Sequence, residues 1–124
     1  MLRAAAKAGK PWSPSGWKAK VGDDVMAVWA VSTYYSGKVK SISADKVKVA
    51  WADGSEPSDA PMATTAAEPT ASTPLPAQGD YVLVKSGSSW SYGQVTSVAD
   101  GQCEIKTSSG NVSAKAGKCV KLGQ

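Results

Sequence analysis

The chain contains its own pattern twice, and this duplication limits the available folds more than any other feature. GDYV at 79–82 matches GDDV at 22–25, an offset of 57 residues. After a one-residue deletion the offset becomes 56: WSYGQVTSV at 90–98 lies on YYSGKVKSI at 34–42, and CEIKTSSG at 103–110 lies on VKVAWADG at 47–54. Glycines, apolar runs and turn signals agree along the whole alignment, so each half is one structural unit. A chain of 124 residues has room for two such units only if both are very small.

The local pattern makes those units β. From Lys46 to Trp51 the alternation is strict: Val47, Val49 and Trp51 share one face, and Lys46, Lys48 and Ala50 share the other. A period of two is the mark of a half-buried strand. Asp53-Gly54 follows at once and signals a hairpin. Further strands are expected near Asp24–Trp29, Tyr35–Ile42 and, more weakly, Ser55–Ser58. Short antiparallel strands joined by tight turns predict a small closed barrel. In the second copy, Lys118–Leu122 supplies a fifth strand, with Cys119 facing inward. The matching position of the first copy is already linker, which leaves that copy an edge to cover. The Trp12–Trp17 segment is the expected cover, because open edges are normally protected.

These signals divide the chain into an arm (1–20), a first barrel (21–59), a linker (60–77) and a second barrel (78–124). The linker, APMATTAAEPTASTPLPA after Asp59, has no periodicity and is stiffened by Pro61, Pro69, Pro74 and Pro76. The net charge of +4 belongs to the arm: Arg3, Lys7, Lys10, Lys18 and Lys20 stand there with no acid, and the remainder is at −1. Residues 1–9 have the composition for a turn or two of helix. Trp12 and Trp17 have no core of their own, so they either cover a barrel flank or dock on another protein. With Arg3, Lys7 and Lys10 they form the expected partner-binding arm, for which nucleic acid or an anionic surface is the alternative to protein.

Composition excludes most catalysis. There is no His, and the two cysteines, Cys103 and Cys119, lack C-x-x-C spacing and are too few for a zinc site. They read as buried thiols, with one disulfide as the alternative. No acid–base pair, phosphate loop or metal cluster is visible, so a non-enzymatic chain without cofactors is expected. No stretch is long and apolar enough to span a membrane. No apolar signal-peptide core follows the basic start, so an intracellular compartment is expected over secretion.

The opening GDDVMAVW, the central YYSGKV and the WADGSE that follows resemble the Tudor pattern, over about 35 residues. The resemblance implies an all-β fold of two SH3-like, Tudor-like five-stranded barrels in tandem, of the Royal superfamily. Chromatin and DNA-repair adaptors have the nearest arrangement, and the wider SH3-like class also takes in agenet, ribosomal and scaffold domains. It further implies recognition of a methylated Lys or Arg in a protein segment by an aromatic cage. Carried onto this chain, the cage falls on Trp29, Tyr35, Trp51 and the rim acid Asp53, and the last frequent cage aromatic falls on Ser55. The matching positions of the second copy are Ser86, Ser91, Thr107 and Ser109, so only the first copy keeps the rings.

Each cage residue has a second reading. Trp29 and Trp51 also suit barrel core, and Asp53 also suits a hairpin turn. Tyr34 and Tyr35 are consecutive on a strand, so one faces in and the other out. The alternative function is a structural adaptor or accessory subunit of a larger protein or ribonucleoprotein assembly, held by the arm and the linker.

Overall fold

The structure is a computed structural model and describes residues 9–30 and 33–123. Arg3, Lys7 and the short N-terminal helix expected over 1–9 lie outside the described residues, apart from Gly9. The described residues form ten strands and one 3-10 turn, with no α-helix among them. The strands are β1 (Asp24–Ala30), β2 (Thr33–Ser43), β3 (Lys46–Trp51), β4 (Ser58–Pro61), β5 (Ala66–Ala67), β6 (Tyr81–Ser86), β7 (Ser89–Ala99), β8 (Gln102–Thr107), β9 (Gly110–Lys115) and β10 (Cys119–Lys121). They belong to two compact units. The first is Ser13–Glu68 with Gly87–Trp90; the second is 9–12, Pro69–Ser86 and 91–123.

In the first unit β1, β2, β3 and β4 form an antiparallel meander, and β5 pairs back onto β1 through Val25↔Ala67 and Met26↔Ala66. Its core is Val25, Ala27, Val39, Val47, Val49, Trp51 and Ala60, the inward set that period-two alternation selects. The opposite face of β1 and β2 is buried too, at Met26, Tyr34 and Ser36. Trp90 pairs with Tyr34 there and is itself buried.

The second unit repeats this plan. β6–β9 form the meander and β10 pairs with β6, with Cys119 opposite Val84. Its core is Val82, Val84, Val95, Cys103, Ile105, Ala114 and Cys119, with Leu75 packed against it. The duplication extends to backbone irregularities. A bulge between Val39 and Ser41 recurs between Val95 and Ser97. Positive φ at Ala44 (46°) recurs at Asp100 (55°), both in the turn after the long strand. Gly22 N–H donates to Val39 O at 2.9 Å, and Gly79 N–H donates to Val95 O at the same distance.

Three expectations are corrected. The fourth strand of the first unit begins at Ser58, three residues late, because ADGSEP is consumed by the loop and Pro57 has no N–H to give a ladder. The first unit's fifth strand lies inside the segment expected to be linker. β5 is only Ala66–Ala67, too short and too plain to show periodicity. It covers the β1 edge in place of the Trp12–Trp17 segment, with Glu68 N–H extending the ladder to Asp24 O at 3.1 Å. The rest of the linker is also engaged: Pro69, Thr73 and Pro76 are buried in the second unit.

The arm divides in the same way. Residues 10–12 pair with the end of the chain: Trp12 N–H donates to Lys121 O and Gly123 N–H to Lys10 O, both at 2.9 Å. Pro11 bridges Leu122 and is buried, a place where its missing N–H costs no ladder bond. Trp17 packs against the first core beside Ala19, after a turn closed by Trp17 N–H on Pro14 O. Trp17 thus covers a barrel flank, while Lys10, Lys18 and Lys20 are exposed.

Candidate functional site

Three rings meet at one end of the first unit. Trp29 and Tyr35 lie 5.1 Å apart between centroids and nearly perpendicular, at 75°. Trp29 and Trp51 are stacked at 5.5 Å and 18°. Tyr35 and Trp51 stand 6.3 Å apart at 77°. Each ring arrives by a different local device.

Tyr35 sits opposite Ala27 across the β1–β2 ladder, and opposed residues share a face, so its ring lies on the core side. Trp51 ends β3 opposite Gly37. A Cβ on Gly37 would collide with Val49 Cγ1 and stand 2.9 Å from Ala50 O, so only glycine lets β2 and β3 approach this closely. Trp29 is the extra residue of a β-bulge: Val28 pairs with Tyr34, but Ala30 pairs with Thr33. Bulges bend a strand and re-aim its side chains.

The three rings differ in burial. Trp51 is 4 % exposed and belongs to the core, and its Nε1–H donates to Ser58 Oγ at 2.9 Å. Trp29 is 41 % exposed, the largest aromatic surface on the first core's rim. Tyr35 is half-buried against the core. Of the consecutive tyrosines, then, Tyr35 reaches the rim and Tyr34 is buried on the opposite face. Ser58 and Gly37 escaped the sequence reading. Ser58 stood at the end of the weakest strand signal, and Gly37 was visible only as one of the matched glycines, paired with Gly93.

Asp53 lies two residues beyond Trp51, in the loop to β4. Its Oδ1 accepts from Ser55 N–H at 2.9 Å, and Gly54, at φ 86°, donates to Trp51 O at 3.0 Å. The Ser55 backbone N–H, and after it the Ser55 hydroxyl, hold the Asp53 carboxyl below its ordinary 3.8. Asp53 is therefore both a turn residue and a fixed, fully solvated negative charge. Glu56 in the same loop is exposed as well, as is Asp59 on β4.

The second unit has no rings at the matching positions, where Ser86, Ser91, Thr107 and Ser109 stand. Trp90 is buried in the first unit, and burial of Tyr92 raises its phenol above the ordinary value.

Two small antiparallel β-barrel units in tandem, each of five strands, define the Tudor-like class of fold. The sequence matches no family model and no curated protein. Among solved structures, the tandem Agenet domain 3-4 of ADCP1 is similar, with a TM-score of 0.52 and 16 % identity over 98 % of this chain and 88 % of that one. AGD34 of Arabidopsis thaliana AGDP1 is similar with a TM-score of 0.54 and 15 % identity, over 98 % of this chain and 90 % of that one. At these identities the likeness is one of fold. No helix among the described residues is long and apolar enough to cross a membrane.

Proposed function

We propose that the chain is a non-catalytic binding module whose first unit takes a methylated, cationic side chain of a protein segment. Trp29, Tyr35 and Trp51 supply the ring faces, and Asp53 supplies the charge at the rim. The observation that carries this reading is the convergence of the three rings within 6.3 Å, with Trp29 left 41 % exposed at the rim of an otherwise closed core. An isolated exposed Trp would need no account. One stacked on a buried indole and flanked by a tyrosine makes an apolar, electron-rich surface. Methylated cations are poorly hydrated and are drawn to such ring faces by roughly 0.5–2 kcal/mol per contact.

The test is calorimetric titration of the whole chain with matched peptides, methylated and unmethylated at one Lys or Arg. Tighter binding of a methylated form, lost in Trp29→Ala, is the expected result. Equal or absent binding of both forms ends the reading.

A structural adaptor is the second reading. The close stacking of Trp29 on Trp51 favours it, since these rings enclose no space between them. The pairing of residues 10–12 with 121–123, and of linker residues 66–67 with β1, weighs against it, because these described parts of the two elements expected to hold a partner are engaged within the chain. Co-purification of the native chain in a larger complex that survives Trp29→Ala would favour the adaptor. An anionic partner for the arm is tested separately, by the salt dependence of oligonucleotide binding.

A further inference from the structure

Of the two tryptophans in the arm, Trp17 packs against the first core, whereas Trp12 belongs to neither barrel core and is part-exposed. The end of the chain sets its place. Pro11 bridges Leu122 in antiparallel register, so Trp12 stands opposite Lys121 and Lys10 opposite Gly123, and a 2.9 Å backbone bond holds each pair. Opposed residues on antiparallel strands share a face, and so do residues two apart on one strand. Trp12, Lys121 and Lys10 therefore share one face of a three-stranded ribbon made of β6, β10 and residues 10–12. Pro11 and Leu122 take the other face and are buried.

The ribbon is the basic end of the second unit. Residues 10–12, 81–86 and 105–123 carry Lys10, Lys85, Lys106, Lys115, Lys118 and Lys121 and no acid. Asp80 precedes β6, and its carboxylate accepts from Ala77 N–H at 2.8 Å. The described residues of the second unit hold six lysines against three acids, a net +3; those of the first hold six against seven, a net −1. Sequence alone places the positive charge in the arm. The pairing of 10–12 with 121–123 joins that charge to the second unit's own, and Lys7 and Arg3 precede it in the chain.

Anionic partners differ in what they require. A bilayer surface takes apolar side chains into its interface, but Pro11, Leu83, Val120 and Leu122 of the ribbon are all buried. An acidic peptide adding as a strand needs a free edge, and residues 10–12 occupy the outer edge of β10. A single-stranded nucleic acid needs a ring for a base beside cations for the phosphates. Trp12, with Lys121 across the ladder and Lys10 two residues before it, supplies that pattern. A duplex keeps its base faces stacked and engages the lysines alone.

We propose that the ribbon face of Trp12, Lys10 and Lys121 binds single-stranded nucleic acid, with a base on the indole and phosphates on the lysines. The site lies in the second unit and does not depend on the methyl-cation reading of the first. The test measures binding of the whole chain to oligo-dT and oligo-rU about 15 nucleotides long, to a duplex of equal length and to phosphatidylserine vesicles. Either single strand is expected to bind more tightly than the duplex and the vesicles, and the tighter of the two tells RNA from DNA. Trp12→Ala should weaken single-strand binding roughly 5- to 150-fold without changing its salt slope, and Trp12→Phe should keep part of the affinity. Lys10→Ala and Lys121→Ala should each reduce the slope of log K against log salt by about 0.7. Lys48→Ala, the same charge change on the first unit, should leave the slope unchanged. If Trp12→Ala lowers the melting curve, the two lysine slopes decide. Absence of single-strand binding, binding indifferent to Trp12→Ala, lysine variants with an unaltered slope, or a duplex or vesicle bound as tightly as the single strands overturns the proposal.

Discussion

The indole Nε1–H of Trp90 donates to Ser36 Oγ at 2.9 Å, and the Ser36 hydroxyl in turn donates to Glu68 Oε1 at 2.7 Å. All three residues belong to the first unit, although Trp90 comes from the second copy of the repeat. Ser36 is 5 % exposed, so the relay runs through a buried hydroxyl to a part-buried carboxylate. Such networks stabilise when complete and are costly when one member is removed. Ser36→Ala takes an acceptor from Trp90 and a donor from Glu68, and is expected to cost about 1–3 kcal/mol in urea denaturation. Combined with Trp90→Phe, the loss should fall short of the sum of the two single changes, since both break one bond.

Gly37 and Gly93 occupy matching places in the two units. A Cβ on Gly93 would collide with Ile105 Cγ2 and stand 3.0 Å from Lys106 O, as a Cβ on Gly37 meets Val49 and Ala50. The obstacles include backbone oxygens and branched side chains with little room to move. Gly37→Ala and Gly93→Ala are each expected to destabilise by roughly 1–3 kcal/mol. Gly37→Ala should also disturb the ring cluster, because Gly37 pairs with Trp51. Thermal melts, with near-ultraviolet circular dichroism for the indoles, separate the two effects.

Much of this fold was legible because the repeat doubled every weak signal. One G-x-V stretch near a turn says little, but Gly37 and Gly93, each followed two residues on by a buried valine, specify a strand crossing twice over. Meanders and core faces follow from alternation alone, as Val47, Val49 and Trp51 show. What escaped was short or lay in the backbone. β5 is two alanines in an Ala/Thr/Pro segment, and no period exists in two residues. The bulge at Trp29 is a register event that leaves no mark in composition. For the site, the convergence of Trp29, Tyr35 and Trp51 was legible through the Tudor resemblance. The stacking of Trp29 on Trp51 was not, because ring orientation is set by packing and by the Trp51–Ser58 hydrogen bond.

Trp51 and Trp29 should respond differently to truncation despite being stacked. Trp51 is a core residue with a hydrogen-bonded indole, so Trp51→Ala leaves a large cavity and is expected to cost about 3–5 kcal/mol. Trp29 is rim-exposed, and Trp29→Ala should cost a fraction of that. Chemical denaturation of the two variants side by side checks this. A loss at Trp29 equal to that at Trp51 would mean that the exposed ring is structural.

The two cysteines give a pH signature. Both are free and buried in the second core, where the Cys103 thiol donates to Pro76 O at 3.7 Å and the Cys119 thiol to Lys115 O at 3.9 Å. Burial, with Cys103 beside it, pushes the Cys119 thiol up to about 12, and burial raises Cys103 as well. The folded state therefore binds protons more tightly than the unfolded chain, whose thiols titrate near about 8.5. The stability this represents is fully present below the unfolded value and is lost as pH rises toward 12. Denaturation midpoints should fall between pH 8 and pH 11 by more in the native chain than in Cys119→Ala. Thiol reagents at pH 8 should react only as fast as the second unit opens.

Asp53 has the opposite sign and two separable roles. Its carboxyl is held below 3.8 by the Ser55 hydrogen bonds, so the folded state favours the charged form. That contribution is present above the unfolded value and is lost as pH falls through the lowered folded one. Asp53→Asn keeps a side-chain oxygen for Ser55 N–H, so the turn and the melting curve at neutral pH should survive. The charge does not survive, and affinity for a cationic peptide should fall by a factor of about two to five, the range of an exposed ion pair. Asp53→Ala removes both the turn bond and the charge, and should lower both melting temperature and affinity. Titrating the native chain and Asp53→Asn in low and high salt discriminates the roles: the gap between them closes as salt rises if Asp53 acts by charge, and persists if it acts only by shaping the loop.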